Sequence, residues 1–168
     1  DEGDIPALAK MAEAVHEHGA LAGIELVHGG YSNANHYSRI PPIAPSVTSV
    51  NSYDPVQARA MTKSDIRDFR KWHRQAAVRS RQAGFDLVYV YAGHNLTLLM
   101  HFLSRRFNQR TDEYGGSLEN RVRLFREVLE DTKDAVGDNC AVAVRFAVDE
   151  LLGSEGITCG SEGREVVE

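Results

Sequence analysis

Apolar positions along the chain switch repeatedly between a helical and a strand period. From Ile5 to His18, Leu8, Met11, Ala12 and Val15 recur at helical spacing, and Gly19 follows where a helix end takes a left-handed residue. Leu21 to Val27 reads as a buried strand. The stretch from His28 to Met61, rich in Pro, Asn and Ser, has no period and predicts a long loop. Thr62 and Asp65 form a capping box with Asp in the usual Glu position. They open a helix whose Ile66, Phe69, His73, Ala76 and Ala77 share one face and which Gly84 closes. Asp86 to Tyr91 is a β-branched and aromatic strand, followed by a polar loop through Gly116 that is long for a simple connection. Ser117 caps a third helix with Val122, Phe125, Leu129 and Val136 on its face, Cys140 to Phe146 is a third strand, and a fourth helix starts near Ser161.

Strict alternation of helix and strand predicts an α/β fold with parallel strands joined by right-handed crossovers. Two architectures fit, a doubly wound sheet and an eight-fold barrel. The phosphate-binding Gly pattern of a dinucleotide fold is missing after every strand, whereas long loops at the C-terminal ends of strands are where barrel enzymes keep their chemistry. A whole barrel takes about 250 residues. The expectation is therefore the central part of a TIM (β/α)8 barrel, about three strands with their helices. Residues 1–168 would form one partial barrel domain truncated at both ends. The opening Asp1-Glu2-Gly3-Asp4 runs straight into a helical pattern, and Glu168 closes inside another, as expected of an internal piece.

Composition narrows the function classes. Of the 168 residues 42% are hydrophobic and 26% charged, enough to bury a core, and the net charge of -5 disfavours nucleic acid as a partner. The local basic cluster Arg105, Arg106, Arg110 is too small to reverse that. Cys140 and Cys159 have neither disulfide-framework nor zinc-site spacing. With no run of roughly 18 apolar residues and no basic-then-apolar leader, no membrane partner is expected, and a reducing cytoplasm fits best.

Side chains of a strand alternate between faces. In the three strands Ala22, Ile24, Leu26, then Val88, Val90, then Val142, Val144, Phe146 make the apolar faces. Glu25, Tyr91 and Arg145 fall on the other, near the C-terminal ends, and would converge at the top of a barrel. A buried Glu–Arg pair beside a core Tyr is the plain alternative. His28, His94 and His101 lie in the following loops. The first and last suit backbone bonding and loop bracing, while Tyr91-Ala92-Gly93-His94 sets a phenol and an imidazole at one strand end. A flat, electron-poor ring suits this set, with Arg145 stabilising negative charge on a reduced flavin and Glu25 accepting its hydrogen bonds.

The run Phe102-Leu103-Ser104-Arg105-Arg106-Phe107-Asn108-Gln109-Arg110-Thr111-Asp112-Glu113-Tyr114-Gly115-Gly116-Ser117-Leu118-Glu119-Asn120-Arg121 closely resembles the signature of the old yellow enzyme family of FMN-dependent barrels. Glu25-Leu26-Val27-His28-Gly29-Gly30, Met61-Thr62 and Gly156-Ile157-Thr158 support it. Within the run, Arg110, Asp112 and Asn120 suit turn and cap bonding rather than catalysis. The chain looks most like the amine-oxidising branch, the trimethylamine and dimethylamine dehydrogenases, because Tyr91 and His94 match their tyrosine and histidine, and Tyr53-Asp54-Pro55-Val56-Gln57-Ala58-Arg59-Ala60-Met61-Thr62 resembles theirs. Alkene-reducing members usually carry His at the first position and a Gly-Tyr after the fourth. Here Asn95 and Leu96 stand there, and leucine donates no proton. The amine dehydrogenases also keep Gly-Tyr, and an apolar loop over 95–100 would reshape the pocket. Enzymes for histamine and for N-methylated amino acids or betaines share the branch.

The resemblance implies FMN held by Glu25 and Arg145, and catalysis by Tyr91 and His94 on a small methylated amine. A hydride equivalent would leave, and water would hydrolyse the iminium to a secondary amine and an aldehyde. It further implies an acidic partner and a 4Fe-4S cluster with ligands outside this chain, electron transfer to a carrier protein, and it allows a homodimer. An NAD(P)H-dependent flavin reductase, 2,4-dienoyl-CoA reductase-like or ene-reductase-like, is the alternative. A metal-dependent barrel hydrolase using Glu25, His28 and His94 is a remote one.

Overall fold

The computed structural model describes residues 1–50 and 56–168, so Tyr53, Asp54 and Pro55 of the phrase quoted above lie outside the described residues. In chain order the elements are α1 (Ile5–His16), β1 (Gly23–Leu26), β2 (Ile43–Ala44), β3 (Thr48–Ser49), β4 (Gln57–Ala60), α2 (Lys63–Gln82), β5 (Leu87–Ala92), α3 (Leu98–Leu103), α4 (Leu118–Val136), β6 (Ala141–Phe146) and α5 (Glu162–Val167). They divide into two compact units. One holds residues 1–26, 67–91 and 127–145, and the other holds 27–66, 92–126 and 146–168.

The first unit is built on the sheet β1-β5-β6. β1 and β5 pair in parallel with Ile24 opposite Val88 and Leu26 opposite Val90. The bonds flanking β5 and β6, Ala141 N–H to Asp86 O at 2.8 Å and Ala147 N–H to Ala92 O at 3.0 Å, advance in step, so this pair is parallel too. Val88 and Val90 are wholly buried. Ala77, Val88, Ala135, Val136 and Cys140 form one core cluster under Ile24, Leu26, Val78 and Val142. Ala12, Ala22, Ala83 and Phe85 form a second beneath α1. Asp86 closes the entry to β5, where its Oδ2 accepts from Ala22 N–H at 2.8 Å and meets His16 Nε2 at 2.7 Å. Gly19 and Gly84 take the left-handed conformation at the ends of their helices.

The second unit carries the small sheet β2-β4-β3 and the short helix α3. Neither was expected of the stretches read as plain loops. β2 lies parallel and β3 antiparallel to β4. Every residue of α3 is buried, and Thr97 caps it, its hydroxyl accepting from Met100 N–H at 3.3 Å. Leu98, Leu99 and Met100, read as part of an apolar loop, therefore belong to a helix core, and only Leu96 is well exposed. The Thr62–Asp65 box forms as expected: Asp65 Oδ2 accepts from Thr62 N–H at 2.7 Å and Thr62 Oγ1 from Asp65 N–H at 3.2 Å. On α4 the buried seam runs through Arg121, Leu124, Phe125, Val128, Thr132 and Ala135. Val122 and Leu129, expected on it, are half-buried.

Candidate functional site

The sheet brings Glu25, Tyr91 and Arg145 together, each the penultimate residue of its strand. Arg145 Nη1 lies 3.2 Å from Glu25 Oε2, and its guanidinium carbon stands 5.0 Å from the centre of the Tyr91 ring. The Tyr91 ring is buried, whereas the Arg145 and Glu25 side chains are 54% and 33% exposed. Within the described residues the pair is partly exposed. A guanidinium stacked on an aromatic face keeps its plane fixed while its outer N–H groups stay available, and one carboxylate contact leaves them unspent. The set offers a fixed cation, an acceptor and a phenol, a donor chemistry that fits the anionic edge and polar rim of a reduced flavin.

His94 is exposed in the turn Gly93–Leu96, whose Leu96 N–H bonds Gly93 O at 3.3 Å. Two of its residues, His94 and Asn95, have φ of +55° and +52°. His28 accepts from Gly30 N–H at Nδ1, 3.0 Å away, and its carbonyl takes Leu98 N–H at 2.8 Å. Burial lowers its pKa. His101 is fully buried and bonds the Asn95 carbonyl through Nε2 at 3.2 Å. These two have the backbone-bonding and bracing character read for them. Tyr31 and Ser32, absent from that reading, complete the same cluster: Asn95 Nδ2 donates to Tyr31 Oη at 3.0 Å, and Ser32 Oγ to Asn95 O at 3.4 Å. An Asn directly after the candidate histidine, in a turn it tolerates better than most residues, is the signal that could have pointed there.

The signature run is a scaffold. Arg110 pairs with Asp112 at 2.9 and 2.6 Å and donates to the carbonyls of Pro45 and Met61 at 3.0 and 2.5 Å. Asn108 donates to the carbonyls of Phe102 and Tyr114, both at 2.7 Å, and Asn120 to that of Gly115 at 3.0 Å. Each member of the basic cluster has an acidic partner: Arg105 with Glu162, Arg106 with Glu155, Arg110 with Asp112. Among the described residues no three His, Cys, Asp or Glu side chains are placed to hold a metal ion, so Glu25, His28 and His94 make no such group. Also among the described residues, no helix is long and apolar enough to cross a membrane.

The model of the NADH:flavin oxidoreductase / NADH oxidase family matches residues 1–166. Dimethylamine dehydrogenase from Hyphomicrobium sp. (strain x) is 37% identical over 174 residues, which cover 100% of this chain and 24% of that protein. Among solved structures, 6-hydroxypseudooxynicotine amine oxidase from Pseudomonas geniculata N1 matches with a TM-score of 0.96 at 52% identity, over 99% of this chain and 25% of its own. Histamine dehydrogenase from Rhizobium sp. 4-9 matches at 0.94 and 50%, over 99% and 24%. The chain thus spans about a quarter of the length of these relatives. Its parallel strands and helices are part of a TIM (β/α)8 barrel of the old yellow enzyme kind, with FMN as the cofactor the family supports. The chain belongs to the NADH:flavin oxidoreductase / NADH oxidase family.

Proposed function

We propose that the full-length protein is an FMN-dependent oxidoreductase that oxidises a C–N bond of a small amine, a methylated one in the reading of Tyr91 and His94. The observation that carries it is the arrangement of Arg145 between Glu25 and the Tyr91 ring, at 3.2 and 5.0 Å. The amine-oxidising names of relatives at 50% identity and above support it. FMN, when bound, supplies the acceptor for the hydride equivalent. Arg145 offers charge where a reduced flavin is negative, and Glu25 sets its direction while keeping acceptor capacity for the ring's N–H. Tyr91 and His94 orient the amine and govern its protonation, because only an amine with a free nitrogen lone pair gives up the hydride readily. The substrate leaves as an iminium, which water hydrolyses to the shorter amine and an aldehyde. A 4Fe-4S cluster ligated outside these residues and a carrier protein complete the proposal.

A second reading, an NAD(P)H-dependent flavin reductase, draws on relatives named NADPH dehydrogenase. Leu96, in place of the alkene reducers' tyrosine, disfavours ordinary alkene reduction by that route. Anaerobic mixing of the full-length protein with dimethylamine, trimethylamine, histamine, NADH and NADPH separates the two. Bleaching of the flavin by an amine is expected, and bleaching by NADH or NADPH alone overturns the proposal. Tyr91→Phe should lower kcat, or shift its pH profile, with FMN still bound. Unchanged kinetics would remove Tyr91 from the mechanism.

A further inference from the structure

The turn that presents His94 carries two successive left-handed residues that are not glycine, His94 at φ +55° and Asn95 at +52°. Side chains with a Cβ rarely adopt this conformation, so the surroundings must hold both residues there. The holding groups are on Asn95. Its side-chain Nδ2 donates to Tyr31 Oη at 3.0 Å, and its carbonyl accepts from His101 Nε2 at 3.2 Å and Ser32 Oγ at 3.4 Å.

The rings of this cluster pack against one another. The Tyr31 ring lies 4.2 Å from the His101 ring and 5.0 Å from Phe107, centre to centre. Against the other edge of His101 sits Gly30, itself left-handed, where a Cβ would come within 2.5 Å of Nδ1. Burial pushes the His101 pKa down to about 4, so the ring is neutral, and its contact with a carbonyl places the single proton on Nε2. The arrangement also has a cost: His101 Nδ1 and Asn95 Oδ1 are buried with no hydrogen-bond partner among the described residues. A cluster shaped for stability alone would be apolar here. Polar atoms left unpaired to hold a strained turn beside an exposed imidazole point to that imidazole.

We infer that Tyr31, Asn95 and His101 form a brace that sets the direction of His94 and are positioning residues for the amine oxidation proposed above; the inference rests on that reading of His94. Tyr31→Phe removes one hydroxyl and leaves the packing intact. Asn95→Gly removes the side chain and keeps the left-handed backbone accessible.

The test is a double-mutant cycle in the full-length, FMN-loaded protein, with whichever of dimethylamine, trimethylamine or histamine bleaches the flavin. Tyr31→Phe and Asn95→Gly should each lower kcat about tenfold with KM within about twofold, FMN content unchanged. Combined with His94→Gln, each should lower kcat by no more than about twofold further, because its effect runs through the imidazole. An equal loss in both backgrounds, a loss confined to KM, or no loss from Tyr31→Phe overturns the inference and leaves the role of His94 standing. If His94→Gln is itself silent, the reading of His94 fails, and the brace with it.

Discussion

Two arginine–glutamate pairs, one in each compact unit, are alike in chemistry and opposite in setting. In the sheet unit Arg145 meets Glu25 at 3.2 Å with half of the arginine and a third of the glutamate in solvent. In the other unit Arg121 meets Glu162 at 2.5 Å, with side chains 1% and 11% exposed. Arg121 also donates to the carbonyls of Leu103 and Gly116, and Arg105 reaches the same carboxylate. A buried charge must keep every partner because losing one strands the other, whereas an exposed pair can be broken or lent to a ligand at little cost. Burial rather than residue type therefore separates the structural pair from the one available for chemistry. Arg121 ties α3, α4 and α5 together, and Arg145 is left with N–H groups to offer.

The largest expected effect follows from the buried pair. Arg121→Ala should cost about 3–5 kcal/mol in urea unfolding of the full-length protein, since Glu162 and two carbonyls lose a partner inside the fold. A loss below about 1 kcal/mol would put Arg121 in the class of surface pairs and erase the contrast. Next comes the backbone of the same scaffold. A Cβ at Gly115 would stand 2.3 Å from Arg110 O and 2.6 Å from Arg110 Cβ, distances that force the loop apart. Gly115→Ala should cost about 2 kcal/mol, read in the same unfolding curve, by displacing Arg110 from the carbonyls it holds. A silent Gly115→Ala would mean that the signature run is not the rigid frame its hydrogen bonds describe.

The two units also differ in how much of them the sequence discloses. Period two in β1, β5 and β6 was enough to put Val88 and Val90 in the core and Glu25, Tyr91 and Arg145 on the opposite face, because a strand's facing follows from parity alone. The Thr62–Asp65 box was readable for the same local reason. In the second unit the determinants are short or distant. α3 spans six residues, too few to show a helical period, and β2 and β3 span two each. The Tyr31–Asn95 bond joins residues 64 apart, and no spacing rule reaches that far. The spacing of apolar positions carries no signal for a buried Arg121, and apolar positions alone put the seam of α4 through Val122 and Leu129.

If burial decides, buried histidines in both units should respond alike to acid. His73 in the first unit, bonded through Nδ1 to Thr132 Oγ1 at 3.2 Å, and His101 in the second are both pushed to about 4, chiefly by burial, with Asp131 opposing it at His73. The folded pKa lies below the unfolded value near 6.5, so below 6.5 the unfolded chain binds protons that the folded one refuses. Their stabilisation is complete above 6.5 and is lost as pH falls towards 4, at on the order of 1 kcal/mol per histidine for each pH unit. Asp65, held low first by its bonds to Arg59, adds a loss only when pH drops into the range of a free carboxyl, near 3.8 and below. Unfolding midpoints between pH 7.5 and 4.5 should fall, and His73→Gln or His101→Gln should each flatten the slope. An unchanged slope in one variant would show that its unit tolerates the charge.

The smallest stability effect belongs to the exposed pair, and there the contrast can be tested most directly. Arg145→Ala should change the unfolding free energy by less than about 1 kcal/mol, because solvent already screens the Glu25 contact and hydrates both partners when it is lost. In the full-length, FMN-loaded protein the same substitution removes a positive charge from the face shared with Tyr91. It should therefore lower the flavin reduction potential by destabilising the negative reduced ring, and an Arg145→Lys variant, which keeps the charge but not the fork, should recover part of the shift. A potential that does not move, together with a large loss of stability, would reverse the assignment and make Arg145 a structural residue like Arg121.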